Sequence, residues 1–279
     1  MIATSGSARL PIDVHGTAHA SNPGGVSAAD VVLFHAGVTD RRAWGPVLEV
    51  LSPRHRCVTF DARGFGDSTY DLEPFSRADD ALAVMDAAGV ACGVLIGCSI
   101  GGRTALDIAL DHPERVSGLV LVGSAISGAP EEEHDPPDVA ALIERLEAAE
   151  GAGDLEEVNR FEAQIWLDGA AGPEGRVAGA TRELFLTMNR QALSAPPTGE
   201  EDRTSRAWHR LEEISVPTLV LVGELDLVEF QARSESAAQR IRGATCVRLP
   251  GVAHLPTLEG HPGCLEAIAR FVGSIAGAP

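Results

Sequence analysis

The sequence predicts an α/β fold: a mostly parallel, doubly wound sheet interrupted by a helical insertion. Short apolar runs rich in β-branched residues recur at 31–34, 57–60, 93–96, 119–122, 218–222 and 245–249. Helix-length gaps separate most of them, and apolar strands alternating with helices form a sheet covered on both faces. The gap of about ninety-five residues between Val122 and Thr218 breaks this rhythm, being too long for a single crossover, so it must hold structure of its own. A chain of 279 residues, 44% of them hydrophobic, suits one large core with an excursion.

Residues 1–9 read as a loose end, and 20–29, rich in Ser, Gly and Ala, as a hairpin connection. Within the long gap, Val139, Leu142, Ile143 and Leu146 fall at helical spacing. So do Leu155, Val158 and Ile165, and then Leu184, Phe185, Met188 and Ala192. These are amphipathic helices. Turn-rich stretches at 128–137, 168–175 and 195–202 separate them. The expected organisation is a core in two parts, 1–127 and 214–279, with the helical insertion at 128–213.

The formal net charge of −18 opposes binding to nucleic acid or to an anionic membrane. No run approaches the roughly eighteen apolar residues of a membrane span, and the first residues lack the pattern of a secretory signal, so a cytoplasmic location is expected. All 22 basic residues are arginine. Schiff-base, pyridoxal and P-loop chemistry, which need lysine, are thereby excluded. Five scattered cysteines, at 57, 92, 98, 246 and 264, read as reduced core residues. His15 and His19 lie four apart in a strand-like segment rather than a helix, so no metal site is expected, nor any cofactor. The expected partner is a small-molecule substrate, and the chain a monomer or homodimer.

Gly97-Cys98-Ser99-Ile100-Gly101 lies between an apolar run and a helix-like stretch. In that context G-x-S-x-G is a nucleophile elbow, with small flanking residues letting strand and helix close on a strained serine. A serine hydroxyl needs a base, and the base an acid to fix its tautomer. Downstream, 218–222 ends in Gly223-Glu224-Leu225-Asp226, making Asp226 the candidate acid just past a strand. The run 245–249 leads into Pro250-Gly251-Val252-Ala253-His254, where glycine and proline hold His254, the candidate base. Cys98 abuts the nucleophile and reads as packing rather than as a functional thiol.

The order Ser99, Asp226, His254 is that of the α/β-hydrolases. Three further segments resemble that family. Val31-Val32-Leu33-Phe34-His35-Ala36-Gly37 matches its strand and oxyanion loop, Asp61-Ala62-Arg63-Gly64-Phe65-Gly66-Asp67-Ser68 its D-x-R-G-x-G-x-S turn, and 211–222 the approach to a late strand. The resemblance runs from about residue 10 to about residue 273, in the serine-nucleophile branch that includes enol-lactonase-like and carboxylesterase-like hydrolases. It implies an eight-stranded sheet with the insertion as a cap over the carboxyl ends of the strands.

It further implies an oxyanion hole from the backbone N–H groups of Ile100 and Gly37, each such donor being worth about 3 kcal/mol of barrier. In similar ester and lactone hydrolases a cap aromatic closes over the substrate, which singles out Trp166 among Trp44, Trp166 and Trp208; core packing of the cap is the alternative. Phe185, Met188 and His35 are further substrate-binding candidates, although a histidine of this kind also commonly bonds its own loop. Arg63 reads as a brace of its turn, and Arg103 as facing the top of the sheet or solvent. Three readings follow: hydrolysis of a small ester or lactone by Ser99, His254 and Asp226; carbon-carbon bond hydrolysis or cofactor-free perhydrolysis on the same scaffold; and a ligand-binding or signalling member that retains the triad.

Overall fold

The computed structural model describes residues 1–16, 29–130, 136–202 and 205–275. Its strands are β1 (Ile2–Ser5), β2 (Ala8–His15), β3 (Val31–Phe34), β4 (Cys57–Phe60), β5 (Gly93–Cys98), β6 (Val116–Val122), β7 (Thr218–Gly223) and β8 (Thr245–Leu249). The helices are α1 (Gly45–Leu51), α2 (Arg77–Ala87), α3 (Ile100–Asp111), α4 (Pro137–Ala152), α5 (Leu155–Glu162), α6 (Ala180–Leu193), α7 (Val228–Arg240) and α8 (Pro262–Ser274). They build an eight-stranded sheet in the order β1-β2-β4-β3-β5-β6-β7-β8. It is parallel from β4 to β8, while β2 runs antiparallel to both β1 and β4.

The pleat sorts the apolar residues. Along β3, Val32 and Phe34 join Val84 and Met85 of α2 and Leu106 of α3, while Val31 and Leu33 join Val47 of α1 and Ile268 of α8. Strands buried on both faces carry continuous apolar runs, which made them legible. β3 lies between β4 and β5, so the chain departs to one side of it and returns on the other. A crevice forms beyond the carboxyl ends of strands at such a switch point.

Residues 1–9 are not a loose end. β1 pairs with β2, Ile2 opposite Pro11 and Ser5 opposite Ala8. Four residues with only Ala3 buried leave almost no periodic signal in the sequence. The cysteines also divide: Cys57, Cys98 and Cys264 are buried and Cys92 partly so, but Cys246 is exposed because β8 is the other edge of the sheet. The connection expected over 20–29 lies, except for Ala29, outside the described residues, as do His19 and 131–135 of the first turn-rich stretch.

Between β6 and β7 come α4, α5, a π-helical segment (Ala163–Gly169) and α6. Val139, Leu142, Phe161 and Ile165 cluster with Leu227 and Phe230 at the start of α7. The segment returning from α6 is strapped to the core: Phe75 N–H donates to Glu200 O (3.0 Å) and Asp202 N–H to Phe75 O (2.9 Å). Glu201 then pairs with Arg77 (3.2 Å) and with Arg103, so Arg103 is buried in an ion pair and faces neither the open sheet top nor solvent.

Arg63 braces the turn after β4. Its guanidinium, 1% exposed, grips both oxygens of Asp80 (3.1 Å each) and also donates to Glu73 (2.9 Å) and Ser5 O (2.9 Å), joining β1, α2 and the turn. Removing one member of such a buried network strands the others' charge. Arg63→Met should therefore cost about 3–5 kcal/mol in urea unfolding. A loss below about 1 kcal/mol would show that the network is dispensable.

Candidate active site

Ser99 closes β5 with φ 54° and ψ −120°, one of two non-glycine residues with positive φ among those described. Backbone strain of this kind costs about 1–3 kcal/mol and persists only where neighbours fix it. Here Ser99 N–H donates to Val122 O (3.0 Å), while Ser99 O accepts from Arg103 (3.1 Å) and Ala125 (3.1 Å). The glycines on either side are sterically required, since a Cβ at Gly97 would overlap the Gly101 carbonyl and one at Gly101 would overlap Phe34 O. α3 thus sits directly against the end of β3.

His254 and Asp226 meet across two loops. The imidazole Nδ1 stands 2.8 Å from Asp226 Oδ2 and 3.0 Å from Oδ1, with both side chains almost fully buried. A carboxylate can only accept, so the neutral ring carries its proton on Nδ1 and leaves the Nε2 lone pair for a base's work. Asp226 is itself held, its Oδ1 accepting from Leu227 N–H (2.8 Å) and its carbonyl from Gln231 (2.7 Å). Glu224, two residues earlier, is exposed. The Cys98 thiol donates to His254 O (3.6 Å), tying the histidine loop to the end of β5 beside Ser99. Burial pushes that thiol well above its ordinary pKa, so it packs and does not react.

Ile100 opens α3, so its N–H is among those a helix leaves without an internal partner. Gly37, on the loop after β3, lies alongside: a Cβ there would stand 3.6 Å from Ile100 Cγ2. The two residues expected to supply oxyanion donors are therefore neighbours. His35 is otherwise engaged, since Ala62 N–H donates to its Nε2 (3.0 Å), which leaves Nδ1–H to donate to Ala36 O (2.8 Å). Burial lowers its pKa and keeps the ring neutral, so both nitrogens serve its own loop and the turn after β4.

Of the three tryptophans, Trp166 is at the site. Its ring centroid is 4.8 Å from that of His254, whereas Trp44 is buried in the core and Trp208 packs against the other core face. Phe230 flanks His254 as well, at 4.6 Å and an interplanar angle of 66°. Sequence reasoning missed Phe230; its signal was only its place, four residues beyond Asp226 at the start of α7. Phe185 and Met188 are fully buried with Ala163 and Leu167 in the cluster against which Trp166 packs.

Trp166 rides on the π-helical segment, whose wider turns disturb the regular carbonyl pairing. Arg176 takes two of those carbonyls, Leu167 O (2.6 Å) and Asp168 O (2.7 Å), and is anchored in turn by Glu259 (2.7 Å). Buried Asp168 accepts from Gly175 N–H (2.8 Å) and Val177 N–H (2.9 Å) and pairs with Arg182 (2.7 Å). Beside Gly37, a cavity of about 290 Å³ opens between the loops of the sheet and the inserted helices, with Arg77, Glu162 and Asn189 on its walls.

The model of the family described as alpha/beta hydrolase fold matches residues 31–261. A Caulobacter vibrioides protein named as a carbamate hydrolase, RutD, is 38% identical over 114 residues, which is 39% of this chain and 42% of that relative's length. The pimeloyl-[acyl-carrier protein] methyl ester esterase of Neisseria meningitidis serogroup B is 25% identical over 245 residues, 86% of this chain and 91% of that one. A solved hydrolase from Pseudomonas aeruginosa PA01 superposes with a TM-score of 0.75 at 26% identity, covering 98% of both chains.

The geometry separates the two carboxylates near the histidine. Asp226→Asn offers Nδ1 a donor where it needs an acceptor, and should cost about four orders of magnitude in the turnover of an activated ester. Glu224→Gln, on an exposed side chain, should stay within about threefold. Steady-state rates of the two variants check this, and reversed sensitivities would move the acid to Glu224.

Proposed function

Because the chain belongs to the α/β-hydrolase fold family, we propose that it is a serine hydrolase cleaving a small carboxylic ester or lactone through an acyl-enzyme. The observation that carries this reading is the buried His254–Asp226 pair, 2.8 Å apart, on a loop tied to the strand end that bears strained Ser99. In this mechanism His254 takes the proton of Ser99 as its oxygen attacks the carbonyl carbon. The N–H groups of Ile100 and Gly37 hold the oxyanion, and Asp226 steadies the imidazolium. His254 returns the proton to the leaving alcohol, and water then releases the acyl group by the same steps.

The relatives support the bond type: one is named for a carbamate and one for a methyl ester, both acyl carbons open to nucleophilic attack. Within this reading the inserted helices form a cap, and Trp166 and Phe230 close one wall around the base. Among the described residues no helix is long and apolar enough to cross a membrane. The free cysteines suit a reducing compartment such as the cytoplasm.

A panel of p-nitrophenyl esters and lactones of graded size tests the assignment, with fast turnover of the smaller members expected. Ser99→Ala should lose at least about four orders of magnitude of that turnover, with a Tm within a few degrees of wild type. A fluorophosphonate should label the wild type alone; labelling that persists in the alanine variant would move the nucleophile elsewhere. Trp166→Ala should raise KM for small esters and shift preference toward larger ones while leaving fluorophosphonate labelling within about threefold. Unchanged substrate order with a stability loss of several kcal/mol would make Trp166 a packing residue of the cap.

A further inference from the structure

Glu162 closes α5 one residue before the π-helical segment, and its carboxyl lies on the wall of the cavity that also includes Gly37. It stands four residues before Trp166, about one helical turn from the ring that touches His254. Two buried asparagines position it. Asn159 Nδ2 donates to Leu186 O (3.0 Å), Asn189 Nδ2 donates to Asn159 Oδ1 (3.0 Å), and Asn189 Nδ2 also donates to Glu162 Oε2 (2.5 Å). Among the described residues Oε1 has no hydrogen-bond partner.

Two arginines also line this cavity, and each has an ion pair with a carboxylate other than Glu162. Arg63 is bound to Asp80 and Glu73, and Arg77 is paired with Glu201. Glu162 is thus a cavity-lining carboxyl without an arginine, and burial raises its pKa against the pull of the Asn189 amide. A brace for Asn189 would not require a carboxyl: a glutamine carbonyl would accept the same bond without the cost of burying a charge. A carboxyl at this position gains most from a donor that arrives with the ligand.

We propose that Glu162 is a specificity-determining residue, its free carboxylate oxygen accepting a hydrogen bond from an N–H or O–H on the substrate's tail, in the cavity that also includes Gly37. The inference rests on the serine-hydrolase reading and adds the substrate class: esters or lactones with a polar, donor-bearing substituent rather than a plain alkyl chain. Asn159 and Asn189 are the positioning residues that aim it.

The test uses p-nitrophenyl ω-acetamidoalkanoates of graded tail length, each paired with its N-methylated analogue, which keeps the carbonyl and removes the donor. At the tail length that reaches Glu162, the N–H member should be favoured by about tenfold in kcat/KM, with the difference in KM. Glu162→Gln keeps the acceptor for Asn189 and presents an amide donor to the cavity, so the preference should collapse to about twofold or less. Glu162→Leu should do the same if it folds, and the glutamine variant carries the test if it does not. No preference at any length, or one that survives Glu162→Gln, overturns the proposal. Fluorophosphonate labelling of Ser99 reports separately on the underlying reading: an unlabelled wild type sinks the hydrolase assignment, while a labelled one without tail preference sinks only the role of Glu162.

Discussion

The packing of α3 against the ends of β3 and β5 is the constraint on which the rest of the molecule depends. Two backbones approach closely enough that neither Gly97 nor Gly101 tolerates a Cβ. The turn between them then has room for only one backbone geometry, and Ser99 adopts it at positive φ. The strain is small beside the apolar burial of a sheet covered on both faces, so the core imposes it easily. The same closeness brings the loop after β3, with Gly37, beside Ile100 at the start of α3. The strained serine and the corner formed by Gly37 and Ile100 arise from one steric fact.

Around this corner, three buried acidic groups are each paired with a basic side chain. Arg63 with Asp80, Asp168 with Arg182, and His254 with Asp226 each lie in a loop or at a helix end next to the crevice. Burying an ion without a partner is prohibitive, whereas a pair with its remaining lone pairs satisfied holds a loop in one arrangement. Arg176 illustrates this: it takes up carbonyls disturbed by the π-helical segment and anchors to Glu259 next to the histidine loop. The segment that carries Trp166 beside the imidazole is thereby held by polar contacts to the carbonyls that follow it.

The central strands were legible because burial on both faces writes an unbroken apolar run, and the six segments expected at 31–34 through 245–249 all lie within strands. The elbow and the loops bearing Asp226 and His254 were legible because short motifs encode turns that glycine and proline make unavoidable. β1 was not, since four residues at an edge with only Ala3 buried carry no periodicity. Phe230 and Glu162 escaped for a different reason. Each sits at a helix position that reads as ordinary, a phenylalanine on an apolar face and a glutamate on a polar one. What makes them part of the crevice is which other segment arrives opposite: the histidine loop for Phe230, and Asn189 with the loop after β3 for Glu162. Such meetings are set by tertiary arrangement and leave no mark on local sequence.

Every ion pair in which a basic side chain other than histidine takes part is made by arginine, because the chain contains no lysine. Beyond geometry, this bears on chemical durability. A lysine amine that sheds its proton is itself a nucleophile toward activated acyl groups, and an acylated amine loses both its charge and its ion pair. A guanidinium stays protonated and does not compete. With no lysine, the chain thus carries no side-chain amine on which an activated acyl group could settle, and its ion pairs are not open to loss by that route.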